Sequence, residues 1–182
     1  MLYCLIGESA SGKTTIEEKL YIGGKADKVI SYTSRPARNK EVNGYHYHFI
    51  EKEEFKDMIE EGFFTEHNIY RDWHYGTSLD GIPFEEKDYV VVCTPSGLKS
   101  FVKKYGRDYI RGVYIHTKER ERIIRQLQRG DDVDEVMRRV KTDRKDFKDV
   151  RKICDTIIDN THFSIDDTVS KILSYMGSQS RG

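Results

Sequence analysis

Leu2–Ile6 is a short apolar run that stops at Gly7, and Lys13–Ile22 has helical composition until Gly23-Gly24 ends it. Val29–Ser31 predicts a strand. Residues 34–44 carry Arg35, Pro36, Arg38, Asn39 and the pair Asn43-Gly44, which is turn chemistry. Tyr45–Ile50 alternates as a half-buried strand does. Glu51–Glu61 reads as an acidic helix closed by Gly62, and Phe63–His67 and a stretch near Tyr70–Tyr75 predict short strands. Tyr89–Thr94 is a continuous apolar run suited to a strand covered on both faces, with a helix opening at Pro95-Ser96. Tyr109–His116 predicts another strand and Lys118–Gln128 a helix. Val133, Val136, Met137, Val140, Phe147, Val150 and Cys154 keep near-helical spacing, which predicts one long amphipathic helix over 133–153. Thr156–Asp159 and Ile165–Met176 predict a last strand and a closing helix.

Strands alternating with helices predict an α/β fold with a mostly parallel five-stranded sheet flanked by helices. The aromatic-rich block of short strands interrupts that alternation and predicts a small mixed β insert at about 34–77. The core then comprises about 1–33, 78–116 and 150–182, with a helical segment at about 117–149. At 182 residues the chain is one domain, large enough to bury roughly 70% of its unfolded surface without disulfide or metal staples. Cys4, Cys93 and Cys154 are odd in number, far apart and set in apolar runs, so they read as buried thiols.

Charge narrows the function. Charged residues make up 34% of the chain, yet 31 Lys+Arg balance 31 Asp+Glu. That balance argues against a duplex-DNA binder, a basic membrane-surface protein or an acidic disordered tail. The longest apolar run, Tyr89–Cys93, is far short of a membrane span. Residues 1–6 lack a basic flank, so no signal peptide is read and a cytoplasmic location is expected. The neutral total is nonetheless segregated. Arg35–Lys40 holds three positive charges and no acid, and residues 118–151 hold twelve Lys+Arg against nine Asp+Glu, whereas Glu51–Glu61 has six acids against two lysines. Basic segments of this size suit small, highly charged anions rather than a nucleic-acid polymer.

Gly7-Glu8-Ser9-Ala10-Ser11-Gly12-Lys13-Thr14 fits GxxxxGK[ST] after a first strand and before a helix, where its chemistry requires it. The glycines allow a tight backbone that turns N–H groups onto phosphate oxygens, and the helix N-terminus adds its dipole. Lys13 would reach the β- and γ-phosphates, and Thr14, followed by Thr15, would ligate Mg²⁺ through its hydroxyl. The motif specifies a nucleoside triphosphate and says nothing of the acceptor.

The acceptor is suggested by the next block. Ser31-Tyr-Thr-Ser-Arg35-Pro-Ala-Arg38, Glu41-Val-Asn-Gly44-Tyr-His-Tyr47-His-Phe49, Phe64-Thr-Glu66 and Tyr75-Gly76-Thr77 resemble the nucleotide-monophosphate site of guanylate kinases. A 5′-monophosphate needs guanidinium forks and hydroxyls, which Arg35, Arg38, Tyr47 and Tyr75 can supply. Guanine offers N1–H and N2–H₂ donors beside an O6 acceptor, which suit the carboxylate of Glu66 and the hydroxyls of Ser31 and Thr77. The resemblance implies that Glu66 reads the guanine edge, with Ser31 and Thr77 near O6. Arg122, Arg125 and Arg129 share one face of a helix, and the pattern RxxxRG…RR at Arg125, Arg129 and Arg139 is similar to the lid of that family, whose arginines close over the transferring phosphoryl group. Arg122, Arg138 and Arg144 read instead as a solvated, salt-bridged surface, and His46 and His48 as structural or surface residues.

Two departures stand out. Guanylate kinases usually carry two acidic residues where this chain has Val92 and Thr94, and often a further glycine where it has Ala10. The resemblance implies a P-loop kinase transferring phosphate from ATP, with Mg²⁺, to GMP or dGMP. A kinase for another nucleoside monophosphate or a sugar phosphate, and a non-catalytic guanylate-kinase-like module that binds phosphopeptides, stay open. So does the oligomeric state, with a monomer compatible.

Overall fold

The computed structural model describes residues 1–179. In chain order the first half holds β1 (Leu2–Ile6), α1 (Lys13–Ile22), β2 (Asp27–Lys28), β3 (Tyr32–Thr33), β4 (His48–Phe49), α2 (Lys52–Glu60), β5 (Glu66–Tyr70) and β6 (Trp73–Thr77). The second half holds β7 (Tyr89–Val92), α3 (Pro95–Tyr105), β8 (Ile110–His116), α4 (Glu119–Gln128), α5 (Val133–Asp146), α6 (Val150–Ile153), β9 (Thr156–Asp159) and α7 (Ile165–Gln179).

A five-stranded, wholly parallel sheet runs in the order β2-β7-β1-β8-β9. Its centre, β1, is apolar on both faces because both faces are covered. Leu2, Cys4 and Ile6 pack on one side with Leu98, Phe101 and Val150, while Tyr3 and Leu5 pack on the other with Ile16, Leu20, Ile172 and Met176. Helices on both faces of a parallel sheet therefore follow from a run that does not alternate. Burying each of the larger aliphatic side chains fully contributes roughly 1.5–3 kcal/mol. Cys4 and Cys93 are buried free thiols, and Cys154 is a partly buried one. No described helix is long and apolar enough to cross a membrane.

A second, four-stranded sheet, β4-β3-β6-β5, is mixed. β3 pairs parallel with β4 and antiparallel with β6, which forms a hairpin with β5. Phe55 of α2, fully buried, stacks on Phe64 at 4.4 Å, and Tyr32 meets both Phe63 and Phe64 edge-on, so this layer has its own aromatic core.

Several element boundaries differ from the sequence reading for local reasons. Val29–Ser31 is the junction between the sheets: the Val29 N–H still donates to Val90 O, and the chain enters the second sheet at Tyr32. Tyr45 and His46 turn back onto Val42 O and His46 Nδ1 accepts from Val42 N–H, leaving only His48–Phe49 as a strand. The hairpin strands lie about three residues later than predicted because Phe63 and Phe64 are drawn into the aromatic core. The long helix over 133–153 breaks after Asp146, so that Phe147 packs beside Tyr114 and Val150 enters the main core.

Gly76 lies on β6 where the aromatic core leaves no room. A Cβ there would stand 2.7 Å from Phe64 Cδ1 and 2.9 Å from Phe55 Cζ. Gly76→Ala should therefore destabilise the protein by about 1–3 kcal/mol through overpacking, lowering Tm by several degrees in a thermal unfolding scan; an unchanged Tm would contradict this packing.

Candidate active site

β1 delivers the chain into the loop 7–12, and α1 begins at Lys13. Gly12 has φ 97° and its Cβ would stand 2.7 Å from Asn160 Nδ2, so only glycine fits. Ala10 also lies in the left-handed region, at φ 61°, a strain of roughly 1–2 kcal/mol that the surroundings must hold. They do so through the loop's carbonyls. Asn160 Nδ2 donates to Ser11 O at 2.9 Å, Thr117 Oγ1 donates to the same oxygen at 3.3 Å, and Arg125 donates to Ala10 O at 3.4 Å. Lys13 folds back over its own loop, donating to Gly7 O at 2.6 Å and Glu8 O at 2.9 Å. Burial lowers its pKa to about 8 against the opposing charges of Asp143 and Glu8. Thr14 and Thr15 are exposed on the first turn of α1.

A residue of α5 that sequence reasoning did not single out sits on this loop. Asp143 of α5 accepts from the Ser9 N–H at 2.9 Å and from Arg122 at 3.0 Å. Its carboxylate thus takes the kind of position on a loop N–H that a phosphate oxygen would take. Burial raises the Asp143 pKa, with Ser9 and Arg122 opposing. Arg122 is only 3% exposed and also donates to Thr117 O, so its reading as a solvated surface residue does not hold. The sequence did carry a signal for the pair. Position 143 falls on the apolar face between Val140 and Phe147, where an aspartate needs a buried partner. Beside it, Tyr114 donates to Glu8 Oε1 at 2.9 Å.

The β5–β6 hairpin assembles the candidate acceptor region. Glu66, Asn68 and Tyr70 share one face of β5, opposite Thr77, Tyr75 and Trp73 of β6. Thr77 Oγ1 donates to Glu66 Oε1 at 3.0 Å and lies 2.8 Å from Ser31 Oγ, so Ser31, Glu66 and Thr77 form one chain of polar groups. Burial raises the Glu66 pKa, with the bonds from Thr77 and Asn68 opposing. Arg35 is buried, forks onto Glu41 at 2.8 and 3.0 Å, and lies over the rings of Tyr47 and Phe49. Although burial works the other way, Arg35 and Arg38 hold the Glu41 carboxyl below its usual range. Tyr47 and Tyr75 meet at 6.2 Å, and burial pushes the Tyr47 hydroxyl up to about 12, so it remains a neutral donor. Arg38 stays exposed, donating its backbone N–H to Glu41 at 2.6 Å.

The remaining arginines divide. Arg125 reaches Asn160 O at 2.9 Å behind the phosphate loop. Arg129 and Arg139 converge on Asp131, at 3.1 and 2.7 Å, and Arg139 also bonds Glu135 at 2.9 Å. Arg138 is not a plain surface residue: its guanidinium lies 4.7 Å over the Tyr70 ring and bonds the Tyr70 hydroxyl and Glu135. Arg71 also pairs with Glu135, so the hairpin tip is tied to α5. Arg144 is exposed and pairs with Glu119 at 2.6 Å. At the two positions lacking acids, the Val92 N–H donates to Glu17 at 3.0 Å, and Glu17 pairs with Lys28 in a buried bridge; Thr94 caps α3 by accepting from Gly97 N–H at 3.1 Å.

A family model described as guanylate kinase matches residues 1–179. A guanylate kinase of Bartonella henselae is 30% identical over 177 residues, covering 95% of this chain and 78% of that protein. One of Neisseria gonorrhoeae is 38% identical over 82 residues, 44% of this chain and only 40% of that protein. A crystal structure of guanylate kinase from Anaplasma phagocytophilum superposes over 100% of this chain and 87% of that one with a TM-score of 0.77; at 19% identity, that likeness bears on the fold.

The lowered pKa of Lys13 has opposite consequences for binding and for stability. A phosphate ligand needs the charged ammonium, so affinity for inorganic triphosphate should fall as pH rises through about 8. The unfolded chain binds that proton more tightly, so between about 8 and the ordinary 10.5 the Lys13 contribution to stability should rise with pH. Calorimetric titration and denaturant unfolding on either side of pH 8 check the two slopes, and slopes of the same sign would contradict the assignment.

Proposed function

The chain belongs to the guanylate kinase family, and from that premise and the geometry of the site we propose that it transfers the γ-phosphoryl group of MgATP in line to GMP or dGMP, giving ADP and GDP or dGDP. The observation that carries the acceptor is the Ser31–Thr77–Glu66 chain, in which a carboxylate acceptor and two hydroxyls stand side by side. Guanine presents two donors and one acceptor to such a group. Adenine would set its own acceptor against Glu66, and a site with polar groups left unpaired rejects that ligand strongly. Arg35, Arg38, Tyr47 and Tyr75 would take the monophosphate, with Arg35 exchanging the Glu41 carboxylate for a phosphate oxygen. Residues Gly7–Thr15 would cradle the triphosphate of ATP.

Phosphoryl transfer needs positioning and charge stabilisation more than covalent help. The acceptor phosphate is largely dianionic near neutrality, so no general base is required. Lys13, Arg125, Arg129 and Arg139 supply positive charge for the developing transition state, and closure of α4–α5 onto the β5–β6 hairpin through Glu135, Arg138 and Tyr70 excludes water. Among the described residues no group of His, Cys, Asp and Glu forms a metal cage, while Thr14 presents a free-standing hydroxyl. That donor set fits Mg²⁺, which commonly takes few protein ligands and leans on substrate phosphates and water. Bound there by Thr14, Mg²⁺ would neutralise phosphate charge. The intact Lys13 and Thr14 and the lid arginines support an enzyme rather than a binding module.

ADP release from MgATP against a panel of monophosphates tests the reading. GMP or dGMP should lead; CMP, UMP or AMP outpacing both, or no turnover at all, would overturn it. Lys13→Ala should abolish turnover while the fold, read by circular dichroism, stays intact. Glu66→Gln should raise KM for GMP on the order of 10–100-fold, the worth of hydrogen bonds to a charged group, with KM for MgATP nearly unchanged.

A further inference from the structure

Asn68 stands on the substrate face of the hairpin, two residues from Glu66 and directly opposite Tyr75. Its amide nitrogen donates to Glu66 Oε2 at 3.0 Å and lies 3.4 Å from Thr94 Oγ1. The orientation of that amide is dictated by chemistry: an ionised carboxylate accepts only, so the NH₂ group must face Glu66 and the carbonyl oxygen must face away. Among the described residues Asn68 Oδ1 receives no hydrogen bond.

The other polar groups here are already committed. Glu66 Oε1 is taken by Thr77 and Oε2 by Asn68, although each oxygen keeps a second lone pair. The Thr94 hydroxyl accepts from Gly97 N–H at 3.1 Å, faces the Asn68 amide, and lies 2.9 Å from Ser96 Oγ. With its lone pairs so engaged, its proton goes to Ser96. Thr94 is therefore a poor acceptor for a ligand, and no carboxylate stands at Val92 or Thr94. A purine with N1–H and N2–H₂ brings three donor hydrogens to this edge. Glu66 can take two, and the third needs an acceptor near Glu66 that is not Thr94.

We propose that Asn68 Oδ1 is that acceptor, making Asn68 a specificity-determining residue for the exocyclic 2-amino group of the acceptor base. The inference rests on the reading of this site as one for a guanine monophosphate. Its sequence signal is weak, since an asparagine on a short strand reads as a side chain facing water until its neighbours are known. The role is distinct from that of Glu66, which also meets N1–H and so serves purines with or without the 2-amino group.

Steady-state kinetics of Asn68→Ala with GMP and with IMP, which lacks only the 2-amino group, separates these roles. The expected result is a loss of about tenfold in kcat/KM for GMP, the order of one neutral hydrogen bond. KM for MgATP should be unchanged, and kcat/KM for IMP should fall much less than that for GMP, by the cost of the lost Asn68–Glu66 bond alone, so the preference for GMP over IMP shrinks. The IMP rate also reports whether the variant is folded. Equal losses with GMP and IMP would mean that Asn68 only holds Glu66 in place, and no loss with either would mean that it touches nothing; each overturns the proposal. A wild-type protein that phosphorylates neither GMP nor dGMP would overturn the functional reading itself, and the Asn68 role with it.

Discussion

A cation taken out of water must find a partner, because leaving it unpaired costs several kcal/mol. This site is built of such cations, and the chain's own oxygens satisfy them. Arg35 grips Glu41, Arg122 grips Asp143, Arg139 grips Asp131 and Glu135, and Lys13 is wrapped in its loop's carbonyls. Each acid lies close to the positive group it satisfies. The balance of 31 basic against 31 acidic residues is thus a local property of the site as well as a global one. A phosphate that enters can replace a carboxylate at an arginine fork without a new set of donors, since both present oxygens to the same geometry.

The phosphate loop was legible because its constraints are local. Gly12 is fixed by a positive φ, Lys13 by the helix start, and the strand before them by an unbroken apolar run. The parallel sheet was legible for the same reason, since strands buried on both faces lose the alternation that marks exposed ones. What the sequence hid was long-range pairing. Arg122 sits in a helix dense with charge, and only the fold shows that its partner, 21 residues away, lies on the buried face of the next helix. Arg138 likewise reads as surface until Tyr70 is brought beneath it. The strand boundaries of the second sheet slipped because Phe63 and Phe64 serve an aromatic cluster rather than a ladder, and periodicity alone cannot distinguish those fates.

One face of one hairpin carries the groups to which the proposed reading gives three tasks. Glu66 and Thr77 lie at its base, Asn68 and Tyr75 in its middle and Tyr70 at its tip. Period-two alternation puts all of these on the same side, so a ligand that meets the base of the hairpin and a lid that meets its tip act on one rigid ribbon. On the proposed reading, the acceptor's base, its phosphate and the lid are held in a fixed relation by strand geometry, without a separate hinge between recognition and closure.

That arrangement bears on the missing acids at Val92 and Thr94. Without a carboxylate there, β7 ends in an apolar residue and a capping hydroxyl, and the acid that reaches this strand, Glu17, comes from α1 and is already committed to Lys28 and the Val92 N–H. Glu17 therefore ties the helix of the phosphate loop to the strand beside it and is not free to serve a ligand. On the proposed reading, recognition of the acceptor falls to the hairpin, where Glu66 stands with Thr77 on one side and Asn68 on the other. Discrimination of the acceptor base, on that reading, therefore rests on the hairpin of the insert rather than on the main sheet, while the loop 7–12 keeps the residue types that phosphate binding demands.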